Sequence, residues 1–272
     1  MQPYKARVIR DLIGKSRRVF KIPVYQRNYD WKNSQCKKLF QDILKAYDKD
    51  KDHFMGTMVY LKITDSSQLE EVLIIDGQQR ITSIYILLKS LYDYAKKEKN
   101  FKLEDIIKDY LFNKKYEESH KLKLKPIKSD NEQLNYLMKN EFDELSKESN
   151  IYQNYILFES LIEEAISKNY TIEDILEGIE KLEVVEIVLD SSQGDEAQVI
   201  FESINSTGLE LSVADLIRNY LLMDDKKQEF LFEKYWLKIE KMVGYDNLEE
   251  FFLHFLNFHL KKVYLIYSYI YL

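Results

Sequence analysis

The scarcity of glycine and proline is the feature that most constrains the fold of this chain. Its 272 residues include seven glycines and three prolines, where average usage would supply about thirty of the two together. A β-sandwich or barrel needs many tight turns, so this composition argues against those folds and against a flexible linker protein. It favours long helices, and it makes each glycine a marker of a place where the backbone needs special freedom.

Charge is distributed unevenly along the chain. The formal net charge is −6, yet residues 1–38 carry eleven Lys or Arg and two acids, a net of +9. A basic segment on an acidic body suits an anionic ligand such as a nucleotide or the DNA backbone, and the alternative is an ordinary basic surface. The single cysteine, Cys36, excludes a disulfide framework and a multi-cysteine zinc site.

Hydropathy predicts a cytoplasmic protein without membrane association. Three basic residues within the first ten interrupt any apolar run that would act as a signal peptide. The aromatic stretch 251–272 is divided by two histidines and two lysines into runs too short to span a bilayer.

The periodicity of apolar residues predicts one mixed sheet combined with many helices. Strands are predicted at 20–25, 53–63, 71–75 and 184–189, and helices at 34–47, from 81 to 95 and at 195–204. Ser129, Thr171 and Ser212 are predicted helix N-caps. The predicted class is therefore α/β (α+β).

The same pattern predicts four parts of the chain. Residues 1–98 form a core, 99–181 a helical insertion, 182–222 a returning strand and helices that complete the core, and 223–272 a helical tail.

The strongest candidate site is the segment Asp76-Gly77-Gln78-Gln79-Arg80-Ile81-Thr82. A strand leads through a glycine turn into a helix, whose unpaired N–H groups and positive dipole end form an anion site. Gly77 would let a phosphate approach, the glutamines would donate, and Arg80 would fork onto phosphate oxygens. Asp76 would hold a metal-bound water, orient Arg80 or bind a ribose hydroxyl. The alternative is a helix cap with solvated glutamines.

A second candidate is the segment Ile22–Trp31, in which aromatic residues alternate with polar ones. Aromatic faces can stack on bases and Arg27 can take phosphate. For Tyr25 and Trp31 we favour the alternative, in which the rings are tucked into the core.

A third candidate runs from Phe201 to Leu209 and continues into a helix with Asp215, Arg218 and Asn219 on one face. Gly208 fits a left-handed turn between helices. From the residues alone we favour the structural alternative, in which this segment contains two helix caps and a surface ion pair.

Other nucleotide and metal motifs do not fit. Gly14-Lys15-Ser16 resembles the end of a P-loop, but Ile9 stands where that motif requires glycine. The four histidines form no HExxH pair and no histidine-metal nuclease motif, so we expect no protein-bound metal cluster.

Four spaced motifs together resemble the N-terminal domain of GmrSD-type modification-dependent restriction proteins, a family similar to the ParB/sulfiredoxin fold. The motifs are IPVYQRNYDW (22–31), FMGTMVY (54–60), IIDGQQRITSI (74–84) and FESINSTGLELSVADLIRNYLL (201–222). Sulfiredoxin-like enzymes place cysteine directly after the glycine of this turn, where Gln78 stands here. A thiol-dependent reductase is therefore not expected.

The resemblance implies a function and a set of residues. These domains bind and hydrolyse a nucleoside triphosphate, with Mg²⁺, and couple this to the sensing of foreign or modified DNA, while an HNH-type nuclease domain or subunit cuts. By this resemblance Asp76, Gly77, Gln78, Gln79, Arg80 and Thr82 form the nucleotide site, with Asp76, Gln79 and Arg80 catalytic. Gln26 and Arg27 would close over the phosphates, and Asn205, Gly208 and Asp215 would line or support the pocket.

Two departures accompany the resemblance. No nuclease motif follows, and the last dozen residues do not resemble the family, so we expect a truncated or frame-shifted reading frame or a sensor subunit with a separate nuclease. The competing hypotheses are a non-enzymatic DNA- or protein-binding module and a stand-alone ParB-like nuclease; a homo-oligomer stays open.

Overall fold

The computed structural model of the chain describes residues 3–65, 69–113, 121–189, 200, 212–223 and 227–260. The chain divides into two compact units, of which the first comprises Met1–Pro23 and Asn28–Ala197 and the second Val24–Arg27 and Gln198–Leu272. The four-part division drawn from the sequence stays a prediction.

One mixed sheet forms the centre of the first unit. Within the described residues its strands are β1 (Pro3–Arg7), β2 (Arg18–Lys21), β3 (His53–Asp65), β4 (Glu70–Asp76), β5 (Leu124–Lys125) and β6 (Leu182–Leu189). Their order is β1-β6-β3-β4-β2-β5. Strand β3 runs antiparallel to β4 and parallel to β6, and β2 runs parallel to both of its neighbours. The predicted α/β class is confirmed.

The predicted strands agree with the observed ones where the apolar run is long. Residues 53–63, 71–75 and 184–189 lie inside β3, β4 and β6. The prediction of a strand at 20–25 is wrong from residue 22 onward, because β2 ends at Lys21 and Pro23 has no N–H to extend a ladder. The short strands β1 and β5 were not predicted individually.

The helices of the first unit pack around the sheet and around one another. They are a π-helix at Val8–Ile13, α1 (Asn33–Asp48), α2 (Gln78–Lys97), α3 (Phe101–Leu111), α4 (Lys128–Lys139), α5 (Asn150–Ser167) and α6 (Ile172–Glu180). Helix α2 contacts α3 and α5 and is buried over most of its length. One apolar cluster joins strand residues such as Phe20 and Ile74 to helix residues such as Leu88 and Phe158.

Two predicted N-caps in this unit have different outcomes. Thr171 caps α6, accepting a hydrogen bond from the Asp174 N–H in a capping box, as predicted. Ser129 is not an N-cap, because α4 already begins at Lys128 and Ile127 occupies the cap position.

The described part of the second unit is helical apart from its turns. It contains α7 (Val213–Leu222), α8 (Gln228–Leu231), a π-helix at Phe232–Trp236, α9 (Leu237–Val243), a 3₁₀ turn at Tyr245–Asn247 and α10 (Leu248–Leu260). Ser212 is the N-cap of α7, as predicted. The helix predicted at 195–204 and the turn at Gly208 lie outside the described ranges, apart from Ile200, which is helical. No described helix is both long and apolar enough to cross a membrane.

Candidate functional site

The turn between β4 and α2 forms as the sequence predicts. Strand β4 ends at Asp76, α2 begins at Gln78, and Gly77 between them has a φ of +98°. A Cβ on Gly77 would lie 2.8 Å from Met58 Cγ, in a backbone conformation that side chains rarely adopt. Glycine is therefore required by both the backbone conformation and the close packing.

The first turn of α2 lacks a side-chain cap among the described residues, and we call it the open end of this helix. This turn also contains no acidic residue. The first N–H groups of a helix have no partner inside the helix, and together they carry a partial positive charge. An anionic oxygen would satisfy these groups.

Gln78 adds an unsatisfied acceptor to this turn. Its side chain is 7% exposed, and its Oε1 atom has no hydrogen-bond partner in the described structure. A buried polar atom without a partner costs about 1–3 kcal/mol, so a position that keeps one is a candidate for ligand contact. The alternative of solvated glutamines is wrong, since Gln79 is also buried, at 8% exposed.

The Gln79 side chain binds the segment Asn28–Trp31, which we call the strap. Gln79 Oε1 accepts hydrogen bonds from the N–H groups of Asp30, at 2.7 Å, and Trp31, at 3.1 Å. Gln79 Nε2 donates to the carbonyl of Asn28 at 2.9 Å. The amide of Gln79 therefore fixes the end of the second sequence motif against the first turn of α2.

Arg80 lies across Gly56 and is oriented by Asp76. Its guanidinium donates to the Met55 carbonyl and to Asp76 Oδ2, both at 3.1 Å. A Cβ on Gly56, whose φ is +110°, would lie 2.4 Å from the Arg80 Nη1 atom. The absence of a side chain at Gly56 therefore leaves room for the Arg80 guanidinium against the backbone of β3. Thr82 is buried in the same turn of α2.

Three polar side chains from residues 99–181, the segment that we call the insertion, also hold the strap. Asp130 Oδ2 accepts from the Tyr29 N–H at 2.6 Å, Asn150 Nδ2 donates to the Tyr29 carbonyl at 3.0 Å, and Asn154 Nδ2 donates to the Trp31 carbonyl at 2.7 Å. Burial raises the pKa of Asp130 to about 6, although the Tyr29 N–H acts in the opposite direction. Sequence reasoning missed all three, because polar residues in a charged helical region carry no signal of a distant partner.

A buried polar cluster lies under the strap. The Tyr29 hydroxyl contacts Ser83 Oγ at 2.7 Å, Cys36 Sγ at 3.4 Å and Asn154 Nδ2 at 3.1 Å. Burial raises the pKa of the Cys36 thiol, which disfavours the reactive thiolate. The aromatic rings of this motif are core residues, as favoured from the sequence, with Tyr25 buried and Trp31 packed against the core.

The remaining predicted residues that the structure describes lie in the second unit. Asp215 and Arg218 form an ion pair at 2.7 Å with both side chains 3% exposed, so the expectation of a surface pair is wrong. Arg218 Nε also donates to the Tyr25 carbonyl at 3.0 Å, beside Gln26, which is buried. Asn205 and Gly208 lie outside the described residues.

Much of the charge in the basic N-terminal segment is neutralised by ion pairs. With partners counted among the described residues, six of its eleven cations lie within 4.0 Å of an acidic side chain: Lys5, Arg7, Arg18, Lys21, Lys32 and Lys38. Arg27 has no ion-pair partner among the described residues. Nowhere in the described ranges does a group of three or more His, Cys, Asp or Glu side chains lie where it could hold a metal ion.

Comparison with known proteins gives the family. Residues 9–222 match the family described as "GmrSD restriction endonuclease, N-terminal domain". The chain belongs to this family. Membership associates it with restriction systems, which act in phage defence. The matched residues include the first turn of α2, the strap and the Asp215–Arg218 pair.

One relative among curated proteins is also similar. An uncharacterized protein of Methanocaldococcus jannaschii is 25% identical over 233 aligned residues, which cover 72% of this chain and 38% of that protein. The chain thus spans about two fifths of the length of the relative it matches.

Proposed function

We propose that this chain binds a nucleoside triphosphate at the N-terminus of α2 and hydrolyses it as the sensor part of a restriction system. The observation that carries the proposal is the uncapped first turn of α2 beside the unpartnered Oε1 atom of Gln78. Phosphate oxygens would accept from the free N–H groups, and a ribose or base donor would satisfy Gln78. A nucleotide carries both phosphate acceptors and ribose or base donors, so it can satisfy both the N–H groups and Gln78, whereas a simple anion satisfies only the N–H groups.

Arg80 supplies a further argument for a bound anion. A cation in the first turn of a helix opposes the helix dipole, and a single carboxylate, Asp76, offsets it here at 3.1 Å. A guanidinium has five N–H donors, of which two are used by Met55 and Asp76. The others can grip phosphate oxygens, which would offset the unfavourable position of the charge.

The residues also fit a nucleotide that arrives with Mg²⁺. The ion neutralises phosphate charge and polarises the transferred phosphoryl group, and it is usually held by one or two carboxylates plus the phosphates. Asp76 is the carboxylate next to this turn, so it would hold the hydrated ion or a ribose hydroxyl while it orients Arg80. Gln79 holds the strap in place, and in our proposal its role in catalysis is to position that segment.

The output of the reaction is proposed from the family. NTP hydrolysis would be coupled to the recognition of foreign or modified DNA, with cleavage by an HNH-type nuclease domain or subunit. The non-enzymatic alternative predicts salt-dependent DNA binding without NTP hydrolysis. The stand-alone nuclease predicts DNA cleavage by the purified chain with a divalent metal.

The test is the affinity of the wild-type chain and of Arg80→Ala for Mg-ATP and Mg-GTP, measured by calorimetry together with phosphate release. Loss of a charge-assisted hydrogen bond should weaken binding by about 1.5–3 kcal/mol. Arg80→Lys keeps the charge without the planar fork and should fall between the two. Arg10→Ala, at an exposed arginine, is the matched control. Equal affinity of Arg80→Ala and wild type, or no binding by wild type, would contradict the proposal.

A further inference from the structure

The strap has few backbone groups left for water. Six of the eight backbone polar groups of Asn28–Trp31 are bonded to side chains. Three of these bonds come from Gln79 and three from the insertion. Surface loops usually leave such groups to solvent, and ordering polar side chains costs conformational entropy. The number of side-chain hydrogen bonds to this short backbone segment indicates that the strap is held in one defined position.

Among the described residues, the Asn154 side chain forms hydrogen bonds only with residues of the strap. Its side chain is 1% exposed, and its Nδ2 atom donates to the Trp31 carbonyl and to the Tyr29 hydroxyl. Its Oδ1 atom has no partner among the described residues. A buried amide with one unsatisfied oxygen is costly for the fold, and both of its hydrogen bonds go to strap residues.

The strap is also joined directly to the proposed site. Gln79, the second residue of α2, bonds three strap groups, and Gln78 and Arg80 are its neighbours in the chain. A shift of the strap must therefore change the Gln79 side chain or the first turn of α2. We propose that the helical insertion sets the nucleotide affinity of this turn through the strap, with Asn150 and Asn154 as positioning residues. This inference rests on the proposed function.

Asn150→Asp is the variant that isolates this effect. It removes the donor to the Tyr29 carbonyl and places a carboxylate against that oxygen. The variant keeps the contact with Lys32 Nζ, now at 3.2 Å from Asn150 Oδ1. Because residue 150 is the first residue of α5, a carboxylate there favours the helix. Asn154→Ser provides a second variant, at the buried position.

Asn135→Asp is the matched control. Asn135 belongs to α4 in the same insertion, and its Nδ2 atom donates to the Asn131 carbonyl rather than to the strap. The substitution therefore removes an amide-to-carbonyl bond of the same kind within the insertion and leaves the strap contacts in place.

The experiment combines hydrogen exchange of the amides of Tyr29, Asp30 and Trp31 with the dissociation constant for Mg-ATP and Mg-GTP. Asn150→Asp and Asn154→Ser should exchange these amides faster and bind nucleotide about five- to tenfold more weakly, the equivalent of one hydrogen bond. Asn135→Asp should change neither.

The outcomes separate this inference from the proposed function. Faster exchange with unchanged affinity would overturn the inference and leave nucleotide binding intact. Unchanged exchange in both strap variants would overturn the fixation itself. A wild-type chain that binds neither nucleotide would instead overturn the proposed function, and the inference with it.

Discussion

The first turns of α2 and α7 both belong to the motifs of the family, and they differ in how their polar groups are satisfied. Helix α7 is capped by Ser212, whose hydroxyl accepts from the Asp215 N–H and donates to Asp215 Oδ2. The same carboxylate receives Tyr245 and Arg218. Helix α2 has Gly77 at its N-cap position, without a side-chain cap and beside an unpartnered acceptor.

In our proposal, this difference separates a structural helix end from a ligand-binding one. At α7 the protein itself supplies the cap and the counter-ion, so no ligand is required for stability. At α2 no described side chain caps the first N–H groups and Gln78 Oε1 has no partner, which costs the folded chain free energy unless a ligand pairs these groups. The completeness of their hydrogen bonding distinguishes the two helix ends.

Breaking the Asp215–Arg218 ion pair at the start of α7 should have the largest effect on stability. Asp215→Ala leaves the Arg218 guanidinium buried without its closest carboxylate, and removal of one partner of a buried pair costs about 3–5 kcal/mol. Urea unfolding should therefore shift to a much lower midpoint. Asp50→Ala is the control, because Asp50 pairs with Lys181 while 88% exposed, and loss of an exposed ion pair should shift the midpoint far less. Similar midpoints for the two variants would show that the α7 end is not held by this pair.

The strap beside the open end should respond to pH through Asp130. Its pKa of about 6 in the folded chain lies above the ordinary value of 3.8, so the folded state keeps a proton that the unfolded state has lost. The contribution of Asp130 to the free energy of unfolding should therefore fall as pH rises from about 4 to 6, by about 2–3 kcal/mol, and level off above the folded-state pKa.

Asp130→Asn tests this pH dependence directly. The amide oxygen still accepts from the Tyr29 N–H, but the group no longer titrates. Urea midpoints measured across this range should lose the Asp130 contribution, whereas Asp143→Asn, at an exposed aspartate, should keep the wild-type slope. Equal slopes for Asp130→Asn and wild type would rule out Asp130 as the source.

What could be predicted from the sequence was local. The apolar run of β4, the glycine at position 77 and the helical period after it predict a strand-to-helix turn, because each depends on neighbouring residues. The Ser212 cap follows from the same kind of signal. The strap contacts could not be predicted, since Gln79 bonds residues about fifty positions away and Asn154 a residue 123 positions away. The two-residue strand β5 exists through its pairing with β2, which local sequence does not encode.

The neighbouring glutamines give the most direct test of the central claim, that the open end of α2 is a nucleotide site. Gln78→Met replaces an unsatisfied buried amide with an apolar side chain of similar size, so the ligand-free chain should become more stable by about 1 kcal/mol. Gln79→Met loses three strap bonds and should become less stable.

The measurement is the melting temperature of wild type, Gln78→Met and Gln79→Met, with and without Mg-ATP or Mg-GTP. Wild type should be stabilised by nucleotide, since binding to the folded state raises its melting temperature. Gln78→Met should melt higher than wild type without nucleotide and gain less from it. A nucleotide-induced shift in Gln78→Met equal to that of wild type, or no shift in wild type, would contradict the account.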